Sequence, residues 1–215
     1  MDIHEVLYTT RAMRRLKPDP VPYDVQARIL DAAIRAPHTD EQWRFILVDD
    51  TAVKAQLGPL YRQAAKRMTA DFGVDFTEMA QSDTQIGRTV RSAMYLERHF
   101  EDVPLFLIGF SRTGGSGIYP ALWNAMLAAR AEGVGSTMTT ILAAYCKDEV
   151  HEILGVPKDA GWSMQAVIPM GYPKGRWGLA HRKPVHEVAA RNGWDGDLGF
   201  TVPEPLWQEA TVAPQ

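Results

Sequence analysis

Three short apolar segments, separated by longer stretches of helical pattern, limit the architectures open to this chain. Residues 44–48, 105–110 and 165–169 are apolar and favour β-strands. The stretches between them carry apolar residues at helical spacing, so strands and helices must pack in layers. With 215 residues, of which 46% are hydrophobic, the chain can bury a substantial core within the size of one domain. We therefore predict an α+β or α/β layered domain.

The helices predicted from the sequence differ in how apolar they are. Residues 23–36 form an amphipathic pattern that ends at Pro37. Residues 119–132 are the most apolar, with Pro120 in the first turn and Gly133 at the position of a C-terminal cap. We predict that this last segment is the central, most buried helix.

Two further helices, at 52–68 and 89–100, are predicted to have charged outer faces. The stretch between them, 69–83, has no clear period, which leaves two alternatives: a mobile lid, or a helix broken at Gly73. The glycine-rich run at 114–117 is predicted to be a flexible loop. It does not form a Gly-x-Gly-x-x-Gly run after a strand, so a Rossmann nucleotide domain is disfavoured.

Charge, cysteine content and hydropathy exclude several classes of protein. The formal charge of −3 and the pI near 6.1 give no overall attraction to nucleic acid or to anionic membranes. Cys146 is the single cysteine and no charged-then-apolar leader is present, so we expect a reducing, cytoplasmic setting. The apolar stretch 103–110 falls far short of the roughly 20 residues that span a bilayer. The six histidines form no close ligand pair, so we expect no structural metal.

Arginines near both ends of the chain suggest a site for a phosphate-bearing ligand. Arg11, Arg14 and Arg15 lie close together near the N-terminus, and Arg182 lies near the C-terminus. The planar guanidinium fork donates two parallel hydrogen bonds to phosphate and stays charged at physiological pH. Spacing alone leaves a solvated basic helix end as the commoner explanation for such a cluster.

A set of ordered motifs extends the arginine pattern along the chain. From the N-terminus they read TTRAMRR (9–15), APHTDEQWRF (36–45), IYPALWN (118–124), GVGSTMTT (133–140), IPMGYP (168–173) and HRKP (181–184). In this order, over roughly residues 3–194, the chain resembles the FMN-dependent nitroreductase family. Such an ordered set is much harder to obtain by chance than any single motif.

The resemblance implies an architecture and an assembly. The family has an α+β fold in three layers, with a mixed, mostly antiparallel sheet flanked by helices. It forms homodimers with two FMN sites at the interface. For this chain we accordingly expect one FMN-binding domain at 1–194 and a C-terminal extension at 195–215 that packs on the partner subunit.

The resemblance also assigns cofactor contacts. Arg11 matches the position that binds the FMN phosphate, and Arg182 matches the C-terminal arginine that closes on the same phosphate. Arg14 matches the position that reaches flavin N1 and the C2 carbonyl, where a positive charge stabilises reduced flavin. The backbone that contacts the ring near N5 falls on residues 138–140. The predicted cofactor-binding residues are Arg11, Ala12, Met13, Arg14, Gln42, Met138, Thr139, Thr140 and Arg182, and no catalytic side chain or metal ligand is predicted.

Two positions depart from the family pattern. Ala12 stands where the family often has serine, so one hydroxyl hydrogen bond is absent and backbone N–H groups must substitute. The loop between Pro37 and Trp43 is about two residues shorter than in relatives and lacks their asparagine. Gln42 matches the amide beside the tryptophan and is expected to contact the flavin of the other subunit.

The implied activity is two-electron transfer by a ping-pong mechanism. NAD(P)H reduces FMN and leaves, and an electron-poor acceptor such as a nitroaromatic or a quinone takes its place. Three alternatives remain open: an FMN-dependent dehydrogenase or ene-type reductase of a specific metabolite, a flavin-binding or storage protein without efficient turnover, and a flavin-free interaction module.

Overall fold

The computed structural model describes residues 1–38 and 42–207, which belong to two compact units. One unit comprises Met1–Arg11 and the chain from Trp177 onwards, and the other comprises Ala12–Arg176. In the described part of the chain, no helix combines the length and the apolar character needed to cross a membrane. The strands are β1 (Trp43–Val48), β2 (Leu105–Ser111), β3 (Gly135–Ser136) and β4 (Ser163–Gly171). The helices are α1 (Ile3–Thr9), α2 (Tyr23–Ala33), α3 (Thr51–Phe72), α4 (Phe76–Met79), α5 (Gln85–Arg98), α6 (Gly115–Ala131), α7 (Ile141–Tyr145) and α8 (Lys147–Ile153), with a 3₁₀ turn at Val185–Glu187.

The larger unit is built on a four-stranded sheet in the order β1-β2-β4-β3. All three pairs of neighbouring strands are antiparallel. An isolated parallel bridge between Ala12 and Ser136 adds the N-terminal segment beside β3. The prediction of a mixed, mostly antiparallel sheet is therefore confirmed.

Strand β2 is covered on both faces, which gives the unit its three layers. Leu105 and Leu107 belong to the core cluster formed with α2 and α6. Successive side chains of a strand point to opposite faces, and on the other face the Phe106 ring stacks on Phe100 with 4.5 Å between centroids. Every residue of β2 is buried. The predicted α+β class with helices on both sides of the sheet is confirmed.

Helix α6 is the buried helix that the sequence predicts, although it starts earlier. Ala121, Leu122 and Ala125 are fully buried. The prediction of a flexible loop at 114–117 is wrong, because the first helical turn begins at Gly115 directly after Gly114, whose φ is +87°.

The break in the long segment before α5 occurs at a glycine. Helix α3 continues to Phe72 and ends at Gly73, which adopts the left-handed conformation with φ +60°. Helix α4 begins after a short turn. Of the two alternatives for 69–83, the helix broken at Gly73 is the one observed, since glycine adopts this conformation without a Cβ clash.

The N-terminus of α3 provides a test of local stability. The Asp50 carboxylate accepts a hydrogen bond from the Val53 N–H at 2.9 Å. Asp50→Ala should lower the free energy of unfolding by about 1 kcal/mol, because it removes the cap of this 22-residue helix. Urea unfolding followed by circular dichroism measures the change. Asp49→Ala is the matched control at an exposed neighbouring position, and an equal loss in both variants would contradict the capping role.

Candidate active site

The backbone around Arg14 is held on both sides, which fixes where this residue lies. The Met13 N–H donates to the Ser136 carbonyl at 2.9 Å. On the other side, the Lys174 N–H donates to the Arg15 carbonyl at 2.9 Å. These hydrogen bonds of Met13 and Arg15 fix the backbone on both sides of Arg14, next to the end of β3.

The Arg14 side chain is half-buried, and within residues 1–38 and 42–207 it forms no hydrogen bond or ion pair. Burial lowers the pKa of its guanidinium, and the nearby Tyr61 phenol has a smaller, opposite effect. A guanidinium nevertheless stays charged in a protein, and a charge removed from water without a partner is costly. The position is thus suited to an anionic or hydrogen-bond-accepting ligand.

The backbone that continues from β3 includes N–H groups that donate to no other described residue. Thr139 and Val167 exchange both of their backbone hydrogen bonds at 2.9 Å, which continues the pairing with β4. The donors alternate in direction along an extended chain, so the Met138 N–H points away from β4. Neither Met138 nor Thr140 donates its N–H to another residue in the part of the chain that the structure describes. Of the three predicted ring contacts, the Thr139 N–H is therefore already engaged in the sheet.

A cavity of about 180 Å³ lies where this backbone meets α3, α4 and α5. Arg14 and Met138 line it on one side. Met68 and Phe76 contribute to an apolar wall on the helices. A mostly apolar lining with a few polar groups is the composition typical of sites that bind and orient small ligands.

Tyr61 anchors the helical wall of this cavity to the core. Its hydroxyl group donates to the Thr139 Oγ1 at 3.5 Å. Its ring stacks on Phe100 with 3.9 Å between centroids, and Phe100 in turn stacks on Phe106 of β2. Burial raises the pKa of Tyr61, so the group is a neutral phenol at physiological pH.

Glu97 also lines the cavity and was not predicted from the sequence. Burial raises the pKa of its carboxyl group, and Arg98 and Arg62 lower it in part. A signal was available, because Val90, Ala93, Met94 and Glu97 follow the i, i+3, i+4, i+7 spacing of one helix face. A glutamate on the inner face of α5 is a departure from the amphipathic pattern.

Arg14 borders a second cavity of about 320 Å³, whose polar groups bond to one another. The Lys174 ammonium donates to the Tyr95 hydroxyl at 2.8 Å. His99 Nδ1 lies 2.8 Å from the Asp102 carboxylate. This cavity consequently has less unmet hydrogen-bonding capacity than the first.

In the smaller unit, the two predicted phosphate ligands lie on adjacent segments. The Ala180 N–H donates to the Tyr8 carbonyl at 3.1 Å and joins the two ends of the chain. Arg11 follows Tyr8 by three residues, and Arg182 follows Ala180 by two. Both arginines are exposed. The Arg182 guanidinium donates to the His181 carbonyl at 2.8 Å.

The C-terminal extension contacts α1 of its own chain. The rings of Trp207 and Tyr8 lie 5.8 Å apart. Trp194, by contrast, is 95% exposed. Residues 208–215 lie outside the described part of the chain, and the packing of the extension on a partner stays a prediction.

In its own chain, Gln42 does not lie at the cavity that Arg14 and Met138 line. Gln42 precedes β1, which lies at the opposite edge of the sheet from β3, with two strands between them. At about 4.8 Å per strand, the two edges are roughly 14 Å apart. The Gln42 carbonyl accepts from the Arg112 N–H at 3.2 Å. The predicted loop residues Thr39, Asp40 and Glu41 lie outside the described residues.

Comparison with known families settles the relationship that the motifs imply. The sequence model of the nitroreductase family matches residues 7–172, which is more than half of the chain. The chain belongs to the nitroreductase family. Its predicted class, an oxidoreductase of this family, is confirmed.

Relatives of this nitroreductase-family chain share its length as well as its fold. An NADH dehydrogenase of Thermus thermophilus is 26% identical over 199 residues, covering 87% of this chain and 95% of the relative. Iodotyrosine deiodinase, solved with FMN and 3-iodo-L-tyrosine, superposes with a TM-score of 0.68 at 18% identity, over 90% of this chain and 100% of the other. The FMN-dependent nitroreductase NfnB of Mycobacterium smegmatis, solved with NADPH, gives 0.61 at 19% identity, over 82% and 93%.

Proposed function

We propose that this chain binds FMN and uses it to transfer two electrons from NAD(P)H to electron-poor acceptors, such as nitroaromatics or quinones, in a ping-pong cycle. The names of its relatives support the cofactor and the donor. The observation that carries the proposal is the half-buried Arg14 guanidinium, which has no partner among the described residues and lines a cavity beside unused backbone donors.

The residues present fit a flavin. The ring presents hydrogen-bond acceptors along one edge, and the chain offers it the Arg14 guanidinium and the N–H groups of Met138 and Thr140. The phosphate would be held by Arg11 and Arg182, whose guanidinium groups are exposed and suited to bidentate contacts. Ala12 and Met13 would contribute backbone atoms to the flavin site. Ala12 provides no hydroxyl group, and the Met13 N–H is bonded to Ser136.

When bound, FMN supplies hydride transfer at N5. Arg14 stabilises the negative charge that develops beside it, and it does so without rearrangement because its backbone is anchored on both sides. Tyr61 and the apolar residues of α3 and α4 limit the access of water to the cavity. No side-chain nucleophile is required.

We further propose that the enzyme is a homodimer in which Gln42 of one protomer completes the site of the other. Gln42 lies at the opposite sheet edge from the cavity of its own chain, so a contact with flavin requires a second copy. Light scattering coupled to size-exclusion chromatography would show twice the mass of 24.0 kDa. A cytoplasmic location stays a prediction.

The proposed function is tested by purifying the protein, recording its visible spectrum without oxygen and adding NADH and then NADPH. We expect a flavin spectrum that bleaches within seconds, and the faster donor identifies the preferred nucleotide. Heat release followed by chromatography identifies the flavin. A yellow protein that bleaches slowly or not at all would favour a storage protein, and a colourless protein that FMN cannot reconstitute would overturn the proposal.

A further inference from the structure

Glu97 is an acidic side chain in the cavity wall, and the arginines near it, Arg98 and Arg62, act on it only through space. Within the described ranges, its carboxylate accepts no hydrogen bond and forms no ion pair. Arg62 of α3 forms its ion pair with Glu101 instead, at 2.8 Å. Arg98 is exposed. Glu97 is half-buried, so its charge is only partly screened by water.

The surroundings of Glu97 define the ligand that would satisfy it. Met94 lies one turn before it on α5, and Met68 and Phe76 face the same cavity. These side chains suit an apolar or aromatic body. In the proposed function the charge of Arg14 faces the flavin, which leaves the carboxylate of Glu97 for the other ligand.

We infer that Glu97 selects the acceptor by its charge, and that the preferred acceptors are small aromatic compounds that carry a cationic group such as an ammonium. This inference rests on the proposed function, because that function defines the acceptor. An ammonium group gains an ion pair in the partly desolvated cavity, a neutral hydroxyl group gains only a hydrogen bond, and a carboxylate is repelled.

Three nitrobenzene derivatives of similar size test the inference: 4-nitrobenzylamine, 4-nitrobenzyl alcohol and 4-nitrobenzoate. Each two-electron turnover consumes one NAD(P)H and one proton and converts the nitro group to a nitroso group and water. The kcat/KM for each compound is measured with the wild type, Glu97→Gln and Glu78→Gln. Glu78 is an exposed acid on α4 outside the cavity lining, so its variant removes the same charge without altering the wall.

Glu97→Gln should lower the ratio of kcat/KM for the amine to that for the alcohol about two- to fivefold, and should raise the corresponding ratio for the carboxylate. Intrinsic reactivity cancels, because each compound is compared with itself across the variants. Glu78→Gln should leave both ratios unchanged. Glu97→Asp, which keeps the charge, should retain the wild-type order and exclude a folding defect as the cause.

A binding measurement separates this inference from the proposed function. Calorimetric titration of the oxidised protein as purified with 4-methylbenzylamine, which cannot be reduced, should give a dissociation constant about two- to fivefold higher for Glu97→Gln than for the wild type. If NAD(P)H fails to bleach the protein while this difference persists, the proposed function fails and the charge selectivity stands. Unchanged ratios and dissociation constants, or an equal loss for all three acceptors, would overturn the inference.

Discussion

Arg14→Ala is expected to lower the midpoint potential of the bound flavin by about 30–60 mV. The half-buried guanidinium has no competing partner among the residues described, so its full hydrogen-bonding capacity is available to the cofactor. Loss of one charge-assisted interaction of about 1.5–3 kcal/mol, made mainly with the reduced form, corresponds to this shift for a two-electron couple. Anaerobic titration against a reference dye measures it.

Two neighbouring variants show whether the effect belongs to the position of the charge. Arg14→Lys keeps the charge and should recover part of the potential, although it loses the planar fork. Arg15→Ala removes a cation that lies over the Tyr95 ring at 5.3 Å and is outside the cavity lining, so its effect should be small. Because Arg14 has no partner to lose among the described residues, its replacement should not lower the thermal midpoint of the apoprotein. An unchanged potential in Arg14→Ala would mean that Arg14 does not approach the flavin ring.

Arg182→Ala is expected to raise the dissociation constant of FMN about 10- to 150-fold. The guanidinium is exposed and its hydrogen bond within the chain goes to the adjacent His181 carbonyl. The substitution therefore removes a phosphate contact of about 1.5–3 kcal/mol with little effect on folding. The change is measured by titrating apoprotein with FMN and following flavin fluorescence.

Lys183→Ala is the matched control for Arg182, because it removes an exposed cation from the next residue. A phosphate contact made by Arg182 predicts a much smaller change for Lys183→Ala. Equal losses in the two variants would indicate a diffuse electrostatic effect instead. If neither variant altered the dissociation constant, the assignment of the C-terminal arginine to the phosphate would be wrong.

The elements that were predicted well are those whose sequence pattern is local. Strands β1, β2 and β4 were each placed within two residues at either end, because short apolar runs between helices have few other solutions. Helix α6 was recognised from its apolar character, but its start was missed because Gly115 and Gly117 resemble a loop. Their helical conformation depends on the packing of the whole helix against the sheet, and a local pattern does not contain that packing.

The candidate site was predictable only where a motif marked it. Arg14, Met138 and Thr140 belong to ordered motifs, and the structure places the first two in one cavity. Tyr61 and Glu97 lie on α3 and α5, where the sequence pattern indicates charged outer faces and does not mark a site on the inner ones. Their role at the cavity depends on how the two helices pack beside the end of β3. Such packing joins residues far apart in sequence, and the spacing within one helix does not specify it.

The stack of Tyr61, Phe100 and Phe106 has a consequence for electron transfer. A redox centre changes its charge in every half-cycle. Polar groups around it that are free to move reorient in response, and this reorganisation energy adds to the barrier. Here Tyr61, in the wall of the cavity, packs through two successive ring contacts against β2, a strand that is buried on both faces. The polar groups of this wall have little freedom to reorient. This side of the cavity should therefore contribute little reorganisation energy to electron transfer in either direction.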